Sequence, residues 1–246
     1  DSGIPALLME DESTNYGENS EQPSTWHSSG DVTITANATN SPEGIQNASL
    51  VVANAANPYT RNIFSFDAGV GLTQVTVSYF IKYYNNQWVR LSPVFFNGSP
   101  AANQYAWFDI QNGVVGIVSA NHTAQISDEE NGWYRCSITF DIDKTTDVSG
   151  YVHVEPMIGD NSSTWAAIGQ GFYGYGSQGE NGILSSYIPT EGSVRTRLAD
   201  VATRDLTGLG ITSITETING VVQTPITTIP TIYSIPKGRI QLIEMS

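Results

Sequence analysis

Apolar and polar residues alternate with a period of two along much of the chain, most clearly over residues 73–83, where Val75, Val77, Tyr79 and Ile81 fall on one side. Successive side chains of an extended strand point to opposite faces, so the pattern predicts a strand with one buried face. Further strands are predicted at 31–37, 49–54, 62–67, 88–96, 104–111, 114–119, 133–142, 150–158 and 171–176. Asn85-Asn86-Gln87 is a turn signal and predicts a hairpin of 73–83 with 88–96. Asn112-Gly113, a pair suited to positive φ, predicts a second hairpin, and 133–142 with 150–158 reads as a third pair. No stretch places an apolar stripe at helical spacing. Short strands separated by polar turns predict an all-β fold, a sandwich of jelly-roll type, over residues 1–200.

Residues 201–246 break this pattern. They are poor in aromatics, rich in Thr and Ile, and interrupted by Pro225, Pro230 and Pro236, which cannot donate to a central ladder. The segment predicts a small C-terminal β appendage. It is too short for a core of its own, and pairing with neighbouring subunits in a homo-oligomer, a trimer by preference, would supply one.

Composition narrows the function classes. Only 14% of the 246 residues are charged, yet the net charge is −14, and no Lys or Arg precedes Arg61. Such a field repels phosphate, so nucleic-acid partners and anionic membranes are disfavoured. No run of 18 apolar residues occurs, so membrane insertion is not expected. Asp1 is not an initiator Met, which points to a processed chain or a fragment. The single Cys136 lies in an alternating strand and reads as a small buried hydrophobe. No nucleophile elbow, zinc-protease helix or phosphate loop appears, and catalysis is not expected. His27, His122 and His153 are scattered and no zinc set forms. The acids Asp141, Asp143 and Asp147 and the run 128–130 lack the alternate spacing of a calcium loop. No cofactor is expected, with a structural Ca²⁺ left open.

A sugar site needs aromatic faces for the C–H surface of a pyranose and planar polar groups for its hydroxyls. Three clusters have that chemistry. The tip at 83–90 offers Tyr84, Asn86, Trp88 and Arg90, and the entry to the next strand offers Tyr105 and Trp107 on one face, continued by Asp109. The third cluster is Trp165 with Tyr173 and Tyr175, where the intervening glycines leave room for a ring to approach. In each, core or loop packing competes with ligand binding. Glu155 and Asp109 read as strand acids able to face inward. Sequons at Asn37, Asn47, Asn97, Asn121 and Asn161 are consistent with chance in so Asn-, Ser- and Thr-rich a chain.

Several segments carry a resemblance: Leu7-Leu8-Met9-Glu10 with Thr14-Asn15 and Trp26, Trp107-Phe108-Asp109-Ile110, Gly132-Trp133-Tyr134-Arg135-Cys136-Ser137, and Ser186-Tyr187-Ile188-Pro189-Thr190 with Arg195 and Asp200. In this order they resemble the concanavalin-like, carbohydrate-binding-module-like β-sandwich domains of phage tail, fibre and head-appendage proteins. The stretch Gly176-Ser177-Gln178-Gly179-Glu180-Asn181-Gly182 departs from the usual pattern by losing an Ala and a Leu. The resemblance implies a concanavalin-like sandwich and a virion-surface, extracellular location. It implies partners among host-surface glycans and other virion proteins, with non-catalytic glycan binding as the task. The motif residues themselves read as structural, Tyr187-Ile188-Pro189 as a strand end that closes the sandwich. A purely structural virion decoration, or the binding module of a polysaccharide-degrading enzyme, stands as the alternative.

Overall fold

The computed structural model describes residues 7–28, 31–96 and 104–245. In chain order the strands are β1 (Leu7–Met9), β2 (Ser13–Asn15), β3 (His27–Ser28), β4 (Val32–Thr39), β5 (Ala48–Ala53), β6 (Thr60–Ser65), β7 (Leu72–Tyr83), β8 (Trp88–Val94), β9 (Ala106–Asp109) and β10 (Val114–Val118). They continue with β11 (Thr123–Asp128), β12 (Trp133–Asp143), β13 (Ser149–Met157), β14 (Gly171–Asn181), β15 (Arg195–Arg197), β16 (Thr203–Asp205), β17 (Ile214–Ile218), β18 (Val221–Val222), β19 (Ile232–Ser234) and β20 (Gly238–Met245). The only helical turn among the described residues is a 3₁₀ turn at Pro23–Thr25. Among the described residues no helix is long and apolar enough to cross a membrane.

Two compact units are formed, one of residues Thr14–Thr196, the other joining Arg197–Ser246 to the N-terminal stretch that ends at Ser13. The smaller unit includes β1 because it pairs with β20.

The larger unit is a sandwich of two six-stranded antiparallel sheets, ordered β10-β9-β8-β13-β6-β3 and β11-β12-β7-β14-β5-β4. Alternation selects the core. Val75, Val77, Tyr79 and Ile81 of β7 and Cys136, Ile138, Phe140 and Ile142 of β12 meet Val89 and Leu91 of β8, Phe108 of β9 and Val152 and Val154 of β13 in one cluster. Full burial of each such side chain contributes about 1.5–3 kcal/mol before chain entropy is counted. Tyr79 keeps its hydroxyl satisfied by donating to the Val152 carbonyl at 2.7 Å. Burial pushes the Cys136 thiol up, so it stays protonated and inert.

The Asn112-Gly113 hairpin forms between β9 and β10. Gly113 has φ +69°, and a Cβ there would lie 2.5 Å from the Tyr134 ring, so both conformation and space require glycine. The other two expected hairpins do not form. β7 pairs with β12 and β14 in one sheet, whereas β8 pairs with β9 and β13 in the other. β12 and β13 are likewise divided between the sheets. Asn85 explains the first case: its backbone N–H and that of Asn86 donate to the Gly171 carbonyl at 3.4 and 3.1 Å, and its side-chain oxygen accepts from the Gly171 N–H at 2.8 Å. The turn is thus tied to the start of β14 and carries the chain across the sandwich. Nor is 187–189 a strand end. It carries no ladder and is held by Ile188 N–H donating to Gln178 Oε1 at 2.7 Å and by Asn15 Nδ2 donating to the Ile188 carbonyl at 2.8 Å.

In the smaller unit the sheet order is β1-β20-β17-β18, with β16 and β19 as a separate ribbon. Its small core is Leu206, Ile214 and Tyr233, flanked by half-buried isoleucines. Pro225, Pro230 and Pro236 all fall between strands, where no ladder hydrogen bond is lost.

Candidate functional site

Strand alternation places a second set of side chains on the outer face of the first sheet. Register sets Arg90 of β8 between Trp107 of β9 and Glu155 of β13, and His153 between Ser92 and Arg61 of β6. These neighbours interact. Arg90 Nε donates to Glu155 Oε2 at 2.7 Å, and Ser92 Oγ donates to the same oxygen. The Arg90 guanidinium lies 4.4 Å from the Tyr105 ring centroid and 5.6 Å from that of Trp107, and the two rings meet edge to face at 5.7 Å. At the other end Arg61 lies 3.8 Å from the Tyr151 centroid and 5.5 Å from that of Tyr59, while Tyr59 stacks on His153 at 4.1 Å. Arg61 Nη1 and His153 Nε2 are 3.2 Å apart.

Charge on this face is set by burial. Desolvation lowers the His153 pKa to about 4, against the raising effect of Glu155; Arg61 and Arg90 lower it further. The ring is therefore neutral at pH 7. Nε2 accepts from Arg61, which leaves the proton on Nδ1, facing Glu155 Oε1 at 4.0 Å. Arg90 and Glu155 neutralise one another and Arg61 stays uncompensated. The floor of the row is buried, with Arg90, His153, Glu155 and Trp107 all under 9% exposed. Tyr59, Arg61, Tyr105 and Tyr151 are half-buried and form its upper surface. Phe95, just beyond β8, is 57% exposed and meets Tyr151 edge to face at 5.6 Å. Its φ of +66° is strained for a bulky side chain, so surrounding structure holds an exposed ring in place at a local cost.

The structure separates the three expected clusters and recombines them. Arg90, Tyr105 and Trp107 come together here, with Trp88 on the same face and packed close to Gly116 and Asp160. Trp107 Nε1 donates to the Ser162 carbonyl at 3.3 Å, which lays the 159–165 loop over this end of the row. Trp165 bridges to Met157, half-buried, with its Nε1 shielded and unpartnered. Tyr84 meets Tyr173 edge to face at 5.4 Å on the opposite sheet, and Tyr84 is exposed. Asn86 is buried and donates to the Trp88 carbonyl. It lines a polar hollow of ≈ 330 Å³ with Asn85, Gln87, Gln111 and Gln170.

Tyr175 stands apart. At 1% exposed, it packs with Phe80, Trp133 and Ala48, and its hydroxyl donates to Glu43 at 3.0 Å. The room beside Gly176 is taken by the chain's own rings: a Cβ there would meet Phe80 at 2.7 Å and Tyr187 at 3.1 Å. Glu155 and Asp109 lie on the outer face, not inward. Asp109 accepts the N–H groups of Gln111 and Asn112 and the amides of Asn112 and Gln87, a turn-fixing role. Burial alone would raise its pKa, and these hydrogen bonds lower it on balance.

Sequence reading missed Tyr59, Arg61, Phe95, Tyr151, His153 and Glu155. The i, i+2 spacing of Tyr59 with Arg61, and of Tyr151, His153 and Glu155, was the available signal, but only register brings the strands side by side. Among the described residues no group of three or more His, Cys, Asp or Glu could hold a metal ion. Asp143 instead fixes a turn by accepting the Thr145 N–H at 2.9 Å.

No protein-family model matches the chain, and no curated protein does. Among solved structures, it is similar to the enzymatically active domain of Bacteriophage CBA120 tailspike protein 4, at 14% identity and a TM-score of 0.23, over 57% of this chain and 20% of that one. A likeness so slight carries no argument about fold or function.

Proposed function

We propose that the chain is a non-catalytic glycan-binding module displayed on a phage particle, as part of a fibre, tail or head appendage, with the outer face of the first sheet as its sugar-binding surface. The phage setting rests on the ordered sequence motifs. The observation that carries the binding role is the row itself: rings from five chain positions interleaved with two guanidiniums and one carboxylate, all on one face. Half-buried tyrosines and exposed Phe95 present flat apolar surface, and the Arg61 guanidinium presents planar donors, the two groups a pyranose needs. The open surface is shallow, so single sites bind weakly and repeated copies on a particle supply avidity.

The test is a glycan array, including polysaccharides from bacterial surfaces, probed with the folded chain at high valency. Binding is expected, and Tyr105→Ala or Phe95→Ala should weaken it about tenfold while thermal unfolding stays cooperative. Binding that survives both changes but is lost in Gln170→Ala or Asn85→Ala moves the site to the amide-lined hollow. No binding to any glycan favours the second reading, a structural virion protein. One observation supports that reading: Leu198, Val201, Val221 and Val222 of the smaller unit are each more than 60% exposed. Apolar exposure of this kind marks contact surfaces.

A further inference from the structure

Resting on the glycan-binding reading, we propose that this face selects acidic sugars and that Arg61 is the group that holds their carboxylate.

Arg61 is unusual in this chain. Acids outnumber bases 24 to 10, yet Arg61 makes none of the ion pairs found among the described residues. Among the described residues its one side-chain hydrogen bond goes to a neutral imidazole, and Nε has no partner although it is shielded from water. A guanidinium has five N–H donors in a rigid planar fork, so most of its hydrogen-bonding capacity is unused here. The position is nonetheless built. The guanidinium lies over Tyr151 at 3.8 Å and beside Tyr59 at 5.5 Å, and the His153 ring stacked on Tyr59 fixes its Nη1. Losing a counter-ion while keeping a three-ring cradle costs stability, and an incoming anion would offset that cost.

The neighbouring group supplies the rest of the ligand's chemistry. Phe95 stands one ring away, edge-on to Tyr151, exposed and held at a strained φ. A pyranose stacked on Phe95 with its ring carboxylate directed to Arg61 uses both features. Planar, bidentate capture of a carboxylate is what an arginine fork favours over a lysine. The acidic balance of the whole chain does not oppose this. Its long-range field is screened within about 8 Å at physiological salt, and the charges at the Arg61 end of the row, Arg61 with the paired Arg90 and Glu155, sum to a positive value.

The experiment uses matched polymers that differ only in charge: polygalacturonate and polysialic acid, each beside its carboxyl-reduced form. Both are presented to the full chain in multivalent format, with a neutral glycan panel alongside. The acidic form should bind at least tenfold more tightly than its reduced partner, and the preference should shrink as salt rises from 50 to 300 mM. Arg61→Gln should abolish that preference, so that the acidic form and its reduced partner bind alike, and Arg61→Lys should restore only part of it. Because substitution in the cradle could unfold the sheet, the wild-type chain gives a second readout: its Arg61 Nε–H NMR resonance should shift on addition of D-glucuronate and not of methyl glucuronate ester. Equal binding of acidic and reduced forms, or an unmoved resonance, overturns the acidic preference while neutral binding still upholds the broader reading. Silence across every glycan overturns both.

Discussion

The outer faces of the two sheets carry similar side chains and end in opposite states. On the second sheet Phe80, Trp133, Tyr175 and Tyr187 gather beside Arg135, whose guanidinium lies 5.3 Å from the Phe80 centroid. That face is closed by the chain itself: Trp133 Nε1 donates to the Asn40 carbonyl at 3.0 Å, Arg135 donates to the Ser185 carbonyl at 2.8 Å, and Tyr187 packs over Phe80. The first sheet also sets rings around guanidiniums, but Tyr59, Tyr105, Tyr151 and Phe95 keep part of their surface open. Aromatic residues beside arginine therefore do not define a binding face. What decides is the presence of a covering segment that removes the rings from water.

The sharpest break in this comparison is Trp133→Ala. If the second face is core, loss of this 1% exposed ring should cost about 3–5 kcal/mol, read from the urea midpoint, without altering glycan binding by the folded fraction. A cost below about 1 kcal/mol would show that the closed face is not a structural layer.

A smaller effect separates the faces by pH. His153 has a folded-state pKa of about 4, below the usual 6.5, so between these values the unfolded chain binds a proton that the folded chain does not. Its contribution is fully present above pH 6.5 and is lost as pH falls toward 4, up to about 3 kcal/mol. Unfolding free energies at pH 7, 5.5 and 4 should fall more steeply for the native chain than for His153→Gln. Parallel curves would place the imidazole in water and undo the account of the row's charge.

The smallest effect concerns Phe95. Phe95→Gly relieves the positive φ and should raise stability by about 1 kcal/mol, because glycine adopts that region without strain. Glycan affinity should fall in the same variant. A gain in stability with unchanged binding would make Phe95 a strained bystander.

Much of the fold was legible from alternation alone. The stripe Val75, Val77, Tyr79, Ile81 is buried where its period places it, and Asn112-Gly113 makes its hairpin. The site was legible only in pieces. Arg90 read as a member of one cluster and Tyr105 with Trp107 as another, and the i, i+2 spacing around Arg61 and His153 did not say which strands lie beside theirs. Tyr175 had the composition of a ligand platform and is packed in a satellite core.

The sequence by itself determined where most strands of the sandwich run and, for β7, which face meets the core, because side-chain period and turn chemistry act over a few residues. Only the tertiary structure decided that β7 and β8 belong to opposite sheets, and that one outer face is covered while the other stays partly open. Those outcomes depend on pairings between distant segments, such as Arg61 with His153, 92 residues apart, and Asn181 with Val75, and on where connecting segments come to rest. A period of two reports that a strand has a second face and is silent on what packs against it.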